Sequence, residues 1–177
     1  MTQLATFACG CFWCIEAAFL QVKGVSAAVS GYMGGSSTTA NYRAVCSGST
    51  AHAEVVQLQY DPAQVSFEQL LSMFFQLHDP TTLNRQGNDV GPQYRSEIFV
   101  HDESQLAAAQ KFIAAVQAEF NAPIVTAINR ASTFYPAESY HQDYFNQNPQ
   151  QPYCAYLIAP KLAKFRQQFA ADLSQPD

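Results

Sequence analysis

The chain carries little charge, and what it has is scattered. Asp, Glu, Lys and Arg make up 13% of 177 residues, the formal net charge is -5, and no run of lysine or arginine occurs. Nucleic-acid binders neutralise phosphates with clustered cations, so that class of partner is excluded. Long apolar runs are also missing, and the N-terminus MTQLATFACG lacks a basic leader, which points away from a membrane span or export and toward the cytoplasm. There is no internal repeat, low-complexity tract or linker. The most loop-like stretch, Gly34-Gly35-Ser36-Ser37-Thr38-Thr39, is too short to separate domains, so one domain is expected over 1–177, with an irregular or helical tail from about residue 146. A second C-x-x-C and an H-x-x-x-H pair are absent too, which removes the usual second half of a structural zinc site.

What is present is a large apolar fraction, 48% hydrophobic and 13% aromatic, enough for a substantial core. LATFAC reads as a buried strand, and the stretch from Cys14 to Val22 as a helix with Ile15, Ala18, Phe19 and Val22 on one face. VSAAVSGYM and EVVQLQY are strands. Ser66 and Gln69 form a capping-box pattern ahead of a helix carrying Phe67, Leu70, Leu71 and Phe74, which should stop near His78-Asp79-Pro80. SEIFVH is a strand, a helix follows from Asp102 to about Phe120, and IVTAIN closes as a strand. Because helices do not strictly alternate with strands, the pattern predicts an α+β two-layer sandwich: a mixed β-sheet with packed helices, a ferredoxin-like core and a C-terminal extension.

Five cysteines, Cys9, Cys11, Cys14, Cys46 and Cys154, are odd in number and clustered, which suits thiol chemistry better than a secreted disulfide framework. "GCFWC" places Cys11 at a strand-to-helix junction, where unpaired backbone N–H groups and the helix dipole favour thiolate. Three readings fit the cluster: a zinc knuckle, a thioredoxin-like dithiol built on Cys11 and Cys14, and a single nucleophilic thiolate served by groups elsewhere. The last requires an acid and oxyanion stabilisers. Glu54 stands at the start of an apolar strand, where burial raises a carboxyl into the proton-donating range. Asp89 and Tyr94 share a Gly-rich loop, and Tyr42 lies in a similar one. Phe12 and Trp13, next to the candidate nucleophile, can wall a small apolar group. His52, His101 and His141 read as hydrogen-bonding residues, His141 being the one placed to shape a site beside Glu138 and Tyr140. Cys9 and Cys46 read as structural or incidental.

Taken in order, GCFWC, GYMGG, SGSTAHAEVV, HDPTTLNRQGNDVGPQYRS and ESYHQDYF resemble peptide methionine sulfoxide reductase of the A type across nearly the whole chain. The resemblance implies that Cys11 attacks the sulfoxide sulfur, that Phe12 and Trp13 hold the substrate methyl group, and that Glu54 protonates the oxygen. It further implies that Tyr42 and Tyr94 hydrogen-bond that oxygen, with Asp89 in support. The implied substrate is the S epimer of methionine sulfoxide, free or in oxidised proteins. No bound cofactor or metal is implied; thioredoxin, or dithiothreitol in vitro, would regenerate a monomeric enzyme. Many relatives carry glycine where this chain has Cys14, which leaves two candidates for the thiol that resolves the Cys11 sulfenic acid: Cys14, which is favoured because it lies one helical turn away, and Cys154.

Overall fold

The structure is a computed structural model and describes residues 1–174. Its strands are β1 (Gln3–Cys9), β2 (Val25–Met33), β3 (Ala53–Tyr60), β4 (Arg85–Gln86), β5 (Asp89–Val90), β6 (Ser96–Val100), β7 (Ala127–Arg130) and β8 (Tyr135–Pro136). The helices are α1 (Phe12–Phe19), α2 (Tyr42–Cys46), α3 (Phe67–Gln76), α4 (Glu103–Val116), α5 (Tyr144–Gln147) and α6 (Ala159–Gln168), with a π-helical turn at Cys154–Ile158 leading into α6. Six strands form one mixed sheet in the order β7-β6-β1-β3-β2-β8, and β4 and β5 form a separate two-stranded ribbon. Among the described residues only β6 and β7 pair in parallel; the other strand pairs are antiparallel. Within the sheet β6-β1-β3-β2 is the ferredoxin-like core, with α1 crossing from β1 to β2 and α3 from β3 to β6.

Period-two burial explains the two faces. Ala5, Phe7 and Cys9 point into the main core with α1 and α3, while Ala8 joins Met33, Ala53, Val55 and Phe99 in a smaller cluster. Phe7 lies at the centre of the main core, its ring stacked 5.8 Å from Phe19 and 4.8 Å from Phe74. Truncating such a residue to alanine costs ~3–5 kcal/mol. The helix starts follow their caps. Ser66 Oγ accepts from Gln69 N–H at 3.1 Å while Gln69 Oε1 accepts from Ser66 N–H at 2.8 Å, and Asp102 accepts from Gln105 N–H at 2.8 Å.

Boundaries differ from the sequence reading at three places. Helix α1 begins at Phe12 and ends at Phe19, because Cys11 is itself the N-cap and Val22 leaves the helix to bridge Leu173. The last expected strand starts only at Ala127, since Val125 N–H is spent on Pro80 O at 2.8 Å instead of on a neighbouring strand. Tyr42 opens helix α2, with Asn41 Oδ1 capping Ala44 N–H at 2.9 Å, where a loop was expected. No helix among the described residues is long and apolar enough to cross a membrane.

Candidate active site

Cys11 sits where β1 hands over to α1, and the turn depends on Gly10. That residue has φ +94°, and a Cβ on it would come within 2.9 Å of Gln86 Cβ, so only glycine fits without strain. The turn brings the first helical N–H, that of Phe12, onto Glu54 Oε1 at 3.2 Å. Glu54 enters from β3, opposite Tyr32 in the register of β2 and β3, and is buried. Burial pushes its carboxyl up to about 8, with the Asp89 charge adding to the rise and the Phe12 N–H opposing it. At neutral pH Glu54 is therefore a carboxylic acid with a proton to give.

The same environment overturns one sequence expectation. Cys11 is not held as a thiolate: burial pushes its thiol well above the ordinary value, the Glu54 charge adds to this, and the Trp13 backbone N–H only partly opposes it. The foremost N–H of the helix, Phe12, serves Glu54 instead of the sulfur. Protonation of Glu54 removes its share of that penalty, so the acid form of Glu54 and an ionised Cys11 are compatible partners.

The two phenols come from separate elements and converge on this pair. Tyr42 opens α2, and its backbone N–H donates to Glu138 Oε1 at 3.3 Å and Oε2 at 3.2 Å. Tyr94 ends the helical turn Pro92–Tyr94 before β6. Both hydroxyls are half-buried, and burial with the Glu54 charge holds each above the ordinary phenol value, so both remain hydrogen-bond donors. The Cys46 sulfur lies against both, a position that nothing in its sequence neighbourhood advertised.

Phe12 is fully buried, its ring 5.8 Å from Tyr32 and 5.4 Å from His141. Trp13 is half-buried and oriented from three sides: its ring stacks on Tyr144 at 3.8 Å and 10°, Tyr153 meets it edge-on at 6.0 Å, and its Nε1–H donates to His141 Nδ1 at 3.0 Å. That bond selects the His141 tautomer that is protonated at Nε2, and burial holds the imidazole in its neutral form. His141 also packs on Tyr42, ring centres 4.2 Å apart, which links the aromatic wall to a phenol. Tyr144 and Tyr153 escaped the sequence reading. Tyr144 belongs to the ESYHQDYF motif but has no polar role to single it out, and Tyr153 was hidden beside Cys154.

Asp89 lies on β5 and accepts from the Tyr153 hydroxyl at 2.6 Å, and that hydroxyl in turn lies beside the Cys11 sulfur. Cys11, Cys14, Asp89 and Tyr153 line one cavity of about 330 Å³. The structure thus brings Cys11, Phe12, Trp13, Glu54, Tyr42, Tyr94 and Asp89 together, with Cys14 sharing the cavity. Cys154 is apart: it is fully buried in the π-helical turn and does not line that cavity. His52 serves the fold, accepting from Gly35 N–H at 3.1 Å and bonding Ser36 O at 2.8 Å. His101 bonds Thr6 Oγ1 at 2.8 Å, away from the site residues. No group of three or more His, Cys, Asp or Glu among the described residues is arranged to hold a metal ion.

Known proteins resemble this chain along most of its length. The family model described as "Peptide methionine sulfoxide reductase" matches residues 3–173. A curated relative from Chromobacterium violaceum, "Peptide methionine sulfoxide reductase MsrA", is 56% identical over 163 residues, 91% of this chain and 93% of the relative. Mxr1 from Saccharomyces cerevisiae in its reduced form superposes with a TM-score of 0.81 at 36% identity, covering 89% of this chain and 90% of Mxr1. A second Mxr1 structure, in complex with Trx2, gives a TM-score of 0.56 at 26% identity, covering 81% and 84%.

Proposed function

Because the chain belongs to the peptide methionine sulfoxide reductase family, and is by that membership an oxidoreductase acting on methionine sulfoxide, we propose that its chemistry runs through Cys11 with Glu54 as the acid. The Cys11 sulfur attacks the sulfoxide sulfur while the Glu54 proton passes to the oxygen, and the Tyr42 and Tyr94 hydroxyls hold that oxygen as charge builds on it. Methionine leaves and Cys11 carries the oxygen as a sulfenic acid. Phe12 and Trp13 hold the methyl group, and Asp89 orients the Tyr153 hydroxyl beside the sulfur. One methyl slot opposite one oxygen slot accepts a single configuration at sulfur, which we assign as the S epimer.

Cys14 then attacks the sulfenic sulfur, releasing water and closing a Cys11–Cys14 disulfide. Cys14 N–H donates to Cys11 O at 3.3 Å, so the two residues share one helical turn, and their side chains line the same cavity. Cys154 would have to leave its buried helical turn to compete. Thioredoxin reduces the disulfide; the Mxr1 complex with the thioredoxin Trx2 is the relevant precedent. The whole chain acts as one catalytic domain, a cytoplasmic monomer that takes free or protein-bound substrate. Its odd, unpaired cysteine complement suits a reducing compartment.

The observation that carries the proposal is the buried, proton-bearing Glu54 bonded to the helix turn that presents Cys11. Its test is chiral chromatography of racemic methionine sulfoxide incubated with the protein and dithiothreitol, run beside Cys11→Ser. Loss of the S epimer alone, abolished in the variant, is expected. Loss of neither epimer with folded wild-type protein, or turnover by Cys11→Ser, overturns it.

A further inference from the structure

Helix α1 carries a buried carboxyl that the reaction does not use. Glu16 follows Trp13 by three residues, so the two side chains leave neighbouring positions on one side of the helix. A buried carboxyl needs partners, and Glu16 finds both on other elements. Asp143 N–H donates to its Oε1 at 2.7 Å, and the Ser30 hydroxyl donates to its Oε2 at 3.1 Å. Burial pushes the carboxyl up to about 7, with these two donors opposing the rise and the Asp143 charge adding to it. Asp143 has φ +53°, a left-handed conformation that a non-glycine residue keeps only when its surroundings impose it. Tyr144 comes directly after it, opens α5 and lies flat on Trp13, ring centres 3.8 Å and planes 10° apart. Gln142, directly before, grips the Ser30 backbone: its Oε1 accepts from Ser30 N–H at 3.0 Å and its Nε2 donates to Ser30 O at 2.9 Å. Ser30 thus ties β2 to α1 by its hydroxyl and to the segment ahead of α5 by its backbone.

Resting on Trp13 as part of the wall that holds the substrate methyl group, we propose that Glu16 is a positioning residue for that wall: it fixes the turn at Asp143 that lays Tyr144 on Trp13. Glu16 acts through Tyr144 and not on the substrate. Without the carboxyl, Asp143 N–H is left unpaired, the left-handed turn has less to hold it, and the Tyr144 ring can leave Trp13. Glutamine can stand in, since its amide oxygen accepts from Asp143 N–H and its amide nitrogen donates to Ser30 Oγ.

The chain has one tryptophan, so its fluorescence reports on Trp13 alone. The test is acrylamide quenching of that fluorescence, with KM and kcat for methionine sulfoxide measured in dithiothreitol. Glu16→Leu should raise quenching and raise KM about fivefold with a smaller change in kcat, the effect of one lost hydrogen bond. Glu16→Gln should restore both readings to wild type. Tyr144→Ala should raise both as well, and adding Glu16→Leu to it should change neither further, because the two substitutions break one linkage. Unchanged quenching in folded Glu16→Leu, a Glu16→Gln as impaired as Glu16→Leu, or effects that multiply in the double variant overturn the proposal. Where Glu16→Leu does not fold, Ser30→Ala removes only the hydroxyl and leaves the Gln142 grip: quenching should rise there too, and unchanged quenching overturns the proposal. Quenching that rises while KM stays fixed in both Glu16→Leu and Tyr144→Ala shows instead that this wall does not hold the substrate, and takes the positioning role with it.

Discussion

The two sides of Cys11 are built from different chemistry. Toward Glu54, Tyr42 and Tyr94 stand groups that burial keeps protonated, each able to hand a hydrogen to an oxygen. Toward Cys9 and Cys14 stand thiols, apolar walls, the hydrogen-bonded Asp89–Tyr153 pair and one ammonium, in a cavity that Glu54, Tyr42 and Tyr94 do not line. A sulfoxide reductase must take the oxygen off the substrate sulfur and then return electrons to the cysteine sulfur that received it. Separating the two tasks in space lets each environment be tuned alone. A low dielectric holds protons on the acids of the first side; on the second, burial raises the thiols and Lys161 partly opposes that rise.

The sharpest way to break this contrast is on the acid side. Glu54→Gln removes the transferable proton and keeps the Phe12 N–H partner, so single-turnover reduction should slow by ~10²–10³-fold. Wild-type rates should fall as pH rises through about 8, where Glu54 loses its proton, and the variant should show no such limb. An unchanged single-turnover rate would remove Glu54 from the chemistry. The same variant carries a stability signature. The Glu54 pKa rises from 4.5 to about 8 on folding, so the native state holds this proton more tightly, and stability present below pH 4.5 is lost as pH climbs to 8. The loss is on the order of 4 kcal/mol. Urea midpoints should drop over that range in wild type and stay flatter in Glu54→Gln.

A smaller effect probes the aromatic wall between the two sides. Trp13→Phe keeps an aromatic ring but removes the Nε1–H that His141 accepts, a loss of ~1 kcal/mol, so KM should rise about fivefold with a smaller change in kcat. Equal loss in kcat and kcat/KM would mean that this wall acts only in the transition state. The smallest effect belongs to the thiol side. Lys161 is exposed, and exposed charges contribute ~0–1 kcal/mol, so Lys161→Gln should slow disulfide closure by no more than about fivefold, read as the rate of thiol loss after one equivalent of substrate. A slowing of a hundredfold would show that this ammonium carries far more of the thiol chemistry than its exposure allows.

Much of the scaffold was legible because its signals are local. The capping box at Ser66 and Gln69 is closed by neighbours in sequence, and the alternation in β3 and the helical spacing of Leu70, Leu71 and Phe74 each repeat within a few residues. Helix α1 was misjudged at both ends for a reason that is not local: Phe12 N–H has its partner 42 residues away in Glu54, and Val22 finds Leu173. The strand expected from residue 124 was shortened in the same way by Pro80.

The sequence by itself determined the family, the α+β class and the residues proposed for the reaction, because GCFWC and the motifs around Glu54, Tyr94 and His141 are contiguous and chemically specific. Only the tertiary structure decided their states. Burial among distant elements protonates Glu54 and raises the Cys11 thiol, and three chain segments converge to set Trp13 between His141, Tyr144 and Tyr153. The gathering of Cys9, Cys14 and Lys161 around one cavity is likewise invisible in the chain, since β1, α1 and α6 meet only when the sheet is covered. Residue identity sets which proton or electron can move; its depth and its neighbours, fixed by packing, set whether it does so near neutral pH.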